Sequence, residues 1–434
     1  MRLTNIRRLA LAGAAVLVPF CAFTQQTSPN KFRLASVRAT GSERYSQAEI
    51  VAASGLVINT EVTQQDMQRA ANRLGTSGVF SAVHYEYLPA GAGGRDATVA
   101  LQLTDNPQML PVSYENLVWL KPAELDRELR ARVPLFRGQL PEAGTLQDEV
   151  IKALQDLLQA HGVQTKVAAE VKQARLGAPI SGIALKADAA VRVAAVKFAG
   201  NAVVSTRDLL AASEALLQQP YEQSFVASFC SSTLRRLYLQ RGFLKIAFGD
   251  PDVDLQSATT QAPAVEVTIP VVEGDQYKFA GATFSGNAAL SEPELRKLVK
   301  LRPGEPANTV DFQKDLAEMK KLYGGRGYMA ASYTLKARLN EDRTALFDVQ
   351  INEGDQYHMG SLQVIGADPA LAAKLTERWK LSAGQIYDDS YRERYLMNAG
   401  SLLLQPPRYQ IRFIERMDDA NKVVNVTLQA VQVQ

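Results

Sequence analysis

The sequence predicts an α+β chain of five tandem modules. Each is a three-stranded mixed sheet covered by two helices, in the order strand, helix, helix, strand, strand. Three repeated phrases carry the prediction. The first is a helix start, written as Tyr45-Ser46-Gln47-Ala48-Glu49-Ile50, Val204-Ser205-Thr206-Arg207-Asp208-Leu209 and Leu290-Ser291-Glu292-Pro293-Glu294-Leu295. Apolar, Ser, two spacers, acid, apolar is the pattern of a capping box inside a hydrophobic staple. Lys121-Pro122-Ala123-Glu124-Leu125 is a degraded copy that lacks the Ser. The second phrase closes a later helix, as Leu237-Tyr238-Leu239-Gln240-Arg241-Gly242-Phe243 and Leu322-Tyr323-Gly324-Gly325-Arg326-Gly327-Tyr328, with Gly where a helix ends left-handed. The third, Glu273-Gly274-Asp275-Gln276-Tyr277, recurs word for word as Glu353-Gly354-Asp355-Gln356-Tyr357. Repetition at intervals of roughly 80 residues marks a repeated module.

From the N-terminus, Arg2, Arg7 and Arg8 precede an apolar stretch from Leu9 to Phe20, and Ala22 and Thr24 offer small residues for cleavage before Gln25. This is the layout of a secretory signal peptide, expected over residues 1–24. Phe20 ahead of Cys21 argues against lipidation of that cysteine, where a small residue is wanted. Removing the segment takes the formal charge from +3 to zero and leaves Cys230 as the one cysteine, a small buried hydrophobe with no disulfide partner. Near-neutral, mixed charge gives no electrostatic case for nucleic acid. No later apolar run approaches the roughly 18 residues of a membrane-spanning helix.

The modules fall at about 32–106, 108–188, 190–275, 276–356 and 357–432. Their first strands read as Phe32 to Thr40, Val191 to Ala199, Tyr277 to Ser285 and Tyr357 to Ile365, each closed by Gly41, Gly200, Gly286 or Gly366. In the fourth module, further strands are expected at Tyr328 to Leu339 and Thr344 to Asn352, with helices near Glu292 to Val299 and Val310 to Tyr323. Leu316, Met319 and Tyr323 give the second helix an apolar stripe of helical period. The second module is the least regular, broken by Gly and Pro between Arg175 and Ser181. Pro270 within Val267 to Val272 reads as a local bulge, since proline cannot donate inside a sheet.

Strand–helix–helix–strand–strand, a signal peptide, Gly-Asn after the first strand and the Glu-Gly-Asp-Gln junctions resemble POTRA domains. These are the periplasmic repeats of the outer-membrane protein assembly factor BamA and of related transport proteins. The resemblance implies a periplasmic, outer-membrane-associated protein. In that family a membrane barrel follows the repeats. After the last expected strand, Val423 to Val431, this sequence reads on only to Gln434, so barrel functions are not expected of it.

The residues offer little chemistry. His84, His161 and His358 fall in three modules without metal-ligand spacing, and no P-loop, nucleophile elbow or dinucleotide fingerprint occurs. Asp250-Pro251-Asp252-Val253-Asp254 lacks the Gly and Glu of a calcium loop, and Gly91 to Gly94 reads as a hairpin loop. No catalytic residue, cofactor or metal is expected. The functional surface is expected to be backbone, at the outer edge of each module's second strand, where an extended peptide can add as a further strand. Candidate edges are Lys245, Ile246 and Phe248 in module three, Tyr333 and Leu335 in module four, and Tyr409, Ile411 and Phe413 in module five. Lys336 and Arg338 are candidates for shielding such an edge by charge. The expected function is a non-enzymatic scaffold that binds an outer-membrane barrel protein or unfolded β-rich clients. The alternatives are a structural spacer between envelope components, or the soluble part of a split barrel transporter.

Overall fold

The computed structural model describes residues 31–90, 96–175, 177–257, 263–404 and 407–433. The expected signal peptide, Cys21 and the Gly91 to Gly94 loop lie outside them. The chain divides into two units: Met1–Ser113 with Pro122–Lys186, and Tyr114–Lys121 with Ala187–Gln434. The segment Tyr114–Lys121 lies inside the expected second module, yet it packs with the later unit.

The first unit begins with β1 (Phe32–Thr40), α1 (Gln47–Ser54), β2 (Glu61–Val62), α2 (Gln64–Thr76), β3 (Phe80–Ala90) and β4 (Asp96–Asp105). Its strands lie in the order β2-β1-β4-β3, with β1 parallel and β3 antiparallel to the central β4. The Ser46 box is complete. Ser46 Oγ accepts the Glu49 N–H at 3.3 Å, and the Glu49 carboxylate accepts the Ser46 N–H at 2.7 Å. A second box, Thr63 with Asp66, starts α2. Next come β5 (Met109–Tyr114), α3 (Pro122–Arg132), β6 (Gln139–Pro141), α4 (Leu146–Ala160), β7 (Val167–Gln173) and β8 (Ile180–Ala187), in the sheet order β6-β5-β8-β7.

The second unit continues with β9 (Arg192–Ala199), α5 (Thr206–Ala212), α6 (Gln223–Phe229), a π-helical turn over Cys230–Leu234, α7 (Arg235–Leu239), β10 (Ala247–Phe248), β11 (Asp252–Ser257) and β12 (Ala264–Val272). Then follow β13 (Lys278–Ser285), α8 (Glu292–Leu298), α9 (Thr309–Gly324), β14 (Ser332–Leu339) and β15 (Thr344–Asn352). The last set is β16 (His358–Ile365), α10 (Pro369–Arg378), α11 (Tyr391–Leu403), β17 (Tyr409–Asp418) and β18 (Val423–Gln432). Each last strand is again central, with the first strand parallel on one side and the second antiparallel on the other.

Packing follows from period-two alternation in the central strands. Ala345, Phe347, Val349 and Ile351 of β15 are buried, and Phe347 meets Phe312 of α9 at 4.8 Å between ring centroids. The expected strand from Tyr328 begins only at Ser332, because Tyr328 to Ala331 form a tight turn in which the Ala331 N–H donates to the Tyr328 carbonyl at 3.2 Å. Pro270 corrects a second expectation. Strand β12 runs straight through it, and the irregularity lies opposite, at Gly249–Pro251 between β10 and β11. A Cβ on Gly249 would stand 3.1 Å from Pro270 Cβ. Proline is tolerated there because the neighbouring strand breaks beside it.

In the Glu-Gly-Asp-Gln-Tyr junctions of the second unit, Asp, Gln and Tyr interlock successive sheets, while Glu ties the end of its own sheet to the loop after that sheet's first strand. The Glu273 carboxylate accepts the Ala202 and Val203 N–H groups at 2.9 and 3.0 Å, and Glu353 accepts that of Ala289 at 2.9 Å. Asp275 pairs with Arg343 at 3.1 Å and Asp355 with Lys422 at 2.6 Å, each in the hairpin of the next sheet. Gln276 donates to the Arg241 carbonyl and Gln356 to that of Arg326. Tyr277 and Tyr357 are buried in the next core, and their N–H groups donate to Gly242 and Gly327, both at 2.8 Å.

Candidate functional site

The second long strand of each of the five sets forms an outer edge: β3, β7, β11, β14 and β17 each end their sheet. In three of them the second helix runs alongside and leaves a groove against the edge. Gln68 and Ala71 of α2 face Val83 and Tyr85 of β3. In the third sheet Val226 and Cys230 face Phe248 and Gly249, so that groove lies at β10 and the break before β11 rather than along β11 itself. Leu316 and Met319 of α9 face Tyr333 of β14. Two of the grooves share a tether, since the Tyr85 hydroxyl donates to Gln68 Oε1 at 3.0 Å and Tyr333 to Gln313 Oε1 at 3.2 Å.

The grooves differ in room. The one beside α9 holds only 10 Å³, because Tyr333 lies in it, whereas the third sheet's groove holds 280 Å³, enough for an aliphatic side chain. The helices beside the two grooves also differ in length. From Pro220 to Tyr238 the chain is one residue longer than from Pro306 to Tyr323, although each proline bridges to its first strand and each tyrosine is buried in its core. A one-residue excess within a helix is absorbed as a π-turn, here Cys230–Leu234. Cys230 is buried at its start, and burial pushes its thiol up to about 11.

The candidate edge residues are placed unequally. Lys245 and Ile246 precede the strand, which starts at Ala247. Ile246 is only 2% exposed, its carbonyl accepting Arg235 Nη1 at 2.9 Å, so it is core rather than edge. Burying Ile246 together with Phe243 in one tight turn outweighs extending the strand backwards. Lys245 is exposed, its ammonium 5.8 Å from the Tyr277 ring centroid. Phe248 does lie on β10, edge-on to Tyr238 at 6.1 Å. Tyr333 and Leu335 lie on β14, and Tyr409, Ile411 and Phe413 on β17, all half-buried against their own cores. The exposed positions between them are Thr334 on β14 and Gln410 and Arg412 on β17.

Charge guards β14 less than expected. Lys336 is exposed, but Arg338 makes a forked pair with Asp348 at 2.9 and 3.0 Å, and Thr283 donates to the same carboxylate at 2.6 Å. That ladder ties Arg338 across the sheet and away from the edge. Among the described residues no cluster of His, Cys, Asp or Glu could hold a metal ion, and no helix is long and apolar enough to cross a membrane.

Residues 277–354 match the POTRA family, described as a surface antigen variable number repeat. A "Putative outer membrane protein assembly factor" of Treponema pallidum (strain Nichols) is 27% identical over 128 residues, 29% of this chain and 15% of that protein. The match thus spans under a sixth of the relative's length. Among solved structures, the chain is similar to POTRA3-5 of BamA from Haemophilus influenzae, with 22% identity, a TM-score of 0.43, and coverage of 56% of this chain and 96% of the other. CdiB from Escherichia coli is 17% identical with a TM-score of 0.22, covering 49% of this chain and 35% of that one. The POTRA match thus covers Tyr277 together with β13 to β15 and the helices between them.

Proposed function

We propose that the chain is a non-enzymatic periplasmic scaffold in outer-membrane protein assembly or transport, which binds its partners or unfolded β-rich clients by strand addition. In this reading the five sheets with their helices are five POTRA-like modules near 32–106, 108–188, 190–275, 276–356 and 357–432, delivered across the inner membrane by the segment 1–24. The observation that carries it is β14, the outer strand of a POTRA match, whose polar Thr334 faces out while Tyr333 and Leu335 pack inward. Such an edge offers a row of backbone donors and acceptors with no enclosed chemistry. The relative named an assembly factor supports the pathway.

Amide exchange tests it. A urea-unfolded outer-membrane barrel protein, diluted into the intact chain, is expected to slow exchange at outward amides of β14 or β17 and leave the central β15 and β18 unchanged. Unchanged exchange at both edges would overturn strand addition there.

A second reading, a spacer between envelope components, is favoured by the interlocked junctions at Glu273–Tyr277 and Glu353–Tyr357. In that case the barrel protein leaves all edges unprotected while partners bind at the ends of the chain.

A further inference from the structure

The segment Tyr114–Lys121 is held at four places, three of them on the helix, core and edge of the third sheet. The Glu115 carbonyl accepts the Gln223 N–H at 2.9 Å, and its carboxylate accepts the Ser224 N–H at 2.8 Å, at the start of α6. Asn116 donates to the Ala187 and Ala189 carbonyls, both at 2.9 Å, and accepts the Ala187 N–H at 2.8 Å. Val118 and Trp119 pack against the third core. Lys121 then reaches the edge strand: its Nζ donates to Asp252 Oδ1 at 2.6 Å, Asp254 Oδ1 at 2.9 Å and the Val253 backbone carbonyl at 2.9 Å.

The last bond decides what the segment does. In an antiparallel strand a residue's N–H and C=O point to the same side. A Val253 carbonyl that takes an outside ammonium therefore lies on the free side of β11, with its own N–H beside it. That carbonyl is one an added strand would need. The same segment also bonds the start of α6, so it ties that helix to the edge strand β11.

We infer that Tyr114–Lys121 is a latch closing the third sheet's edge to strand addition, so that within the second unit β14 and β17 are the edges open to a client and β11 opens only when Lys121 leaves. The inference rests on the strand-addition reading for what the edge would bind. The latch itself is a property of the free chain, and it is tested there.

The test uses the full chain, Lys121→Met, which keeps the apolar stem without the ammonium, and Lys121→Arg, which restores a cation. In the free protein, the Asp252 and Asp254 amides, which alternate with Val253 and so face β12, are expected to exchange about two- to five-fold faster in Lys121→Met, the range that exposed ion pairs allow, and to return towards wild type in Lys121→Arg. Equal exchange in Lys121→Met and wild type overturns the latch, with or without a client. With the urea-unfolded barrel protein added, wild type is expected to gain protection at β14 or β17 but not at β11, and Lys121→Met to gain it at β11 as well. Protection at β11 in wild type also overturns the latch. Loss of all edge protection, with the free-chain difference intact, overturns strand addition and leaves the latch standing.

Discussion

Gln276 donates its side-chain amide to the Arg241 carbonyl at 2.9 Å, and Gln356 repeats the bond to Arg326 at 3.0 Å. In each pair the glutamine belongs to a junction phrase and the arginine to the phrase that closes the preceding helix. The two repeated phrases are thus two halves of one joint. Replacing Gln276 or Gln356 with Ala is expected to cost about 0.5–1.5 kcal/mol each, the net worth of an ordinary hydrogen bond. Urea unfolding of the two variants and their double measures it.

Glu273 answers to a different balance. Burial pushes its carboxyl up, but the Ala202, Val203 and Val204 N–H groups outweigh that and hold it below the usual carboxylate value. Glu273→Ala leaves those donors without their acceptor, at about 1–3 kcal/mol. Because the folded value is lowered, the stabilisation is full above the ordinary glutamate range and fades as pH falls through the lowered one. Urea midpoints of wild type and variant are expected to converge in acid.

Glu294 titrates far from its ordinary value. The Ser291 hydroxyl, then the Ser291 N–H, then Arg326 at 2.7 Å hold its carboxyl down to about 2. The cap on α8 therefore persists through mild acid and is lost only as pH falls towards that value. Carboxyl-carbon NMR of Glu294 checks it, with Arg326→Gln expected to move the midpoint up and an ordinary wild-type midpoint counting against the arrangement.

Gly286 holds φ at +79°, and a side chain there would drive into the Ile351 carbonyl oxygen. Gly41, Gly200 and Gly366 occupy the same place against Leu103, Val271 and Ala430. Gly286→Ala is expected to destabilise by at least the roughly 1–2 kcal/mol of a left-handed alanine. Thermal unfolding of the full chain reads the loss.

Much of this was legible because the repeats are written in residues with fixed jobs. The capping boxes at Ser46 and Ser291, the Gly closing each first strand and the alternation of Ala345 to Ile351 can be read without coordinates. Four things were not. The first strands β1, β9, β13 and β16 each carry a bulge near their start, after Leu34, Val193, Phe279 and Met359. Its signal was present as the small pairs Ala35-Ser36, Ala194-Ala195, Ala280-Gly281 and Gly360-Ser361. The π-turn at Cys230 was visible only as one surplus residue, which means nothing until two helices are aligned. The site reading fared less well, because edge residues such as Ile246 are assigned by where a turn ends, and no period marks that. The reach of Lys121 to Val253 crosses more than a hundred residues of chain, and local pattern carries no trace of it.

The central claim is that clients add to the open edges, and site-specific photo-crosslinking in intact cells meets it most directly. A photoreactive residue at Thr334 or Gln410 points outward from β14 or β17, whereas one at Phe347 lies in the core. The account predicts capture of outer-membrane barrel proteins or their precursors from Thr334 or Gln410, none from Phe347, and loss of capture when Tyr333→Pro or Ile411→Pro breaks the respective edge. Repeated absence of any such adduct from both edges, in a folded and correctly localised protein, would contradict it.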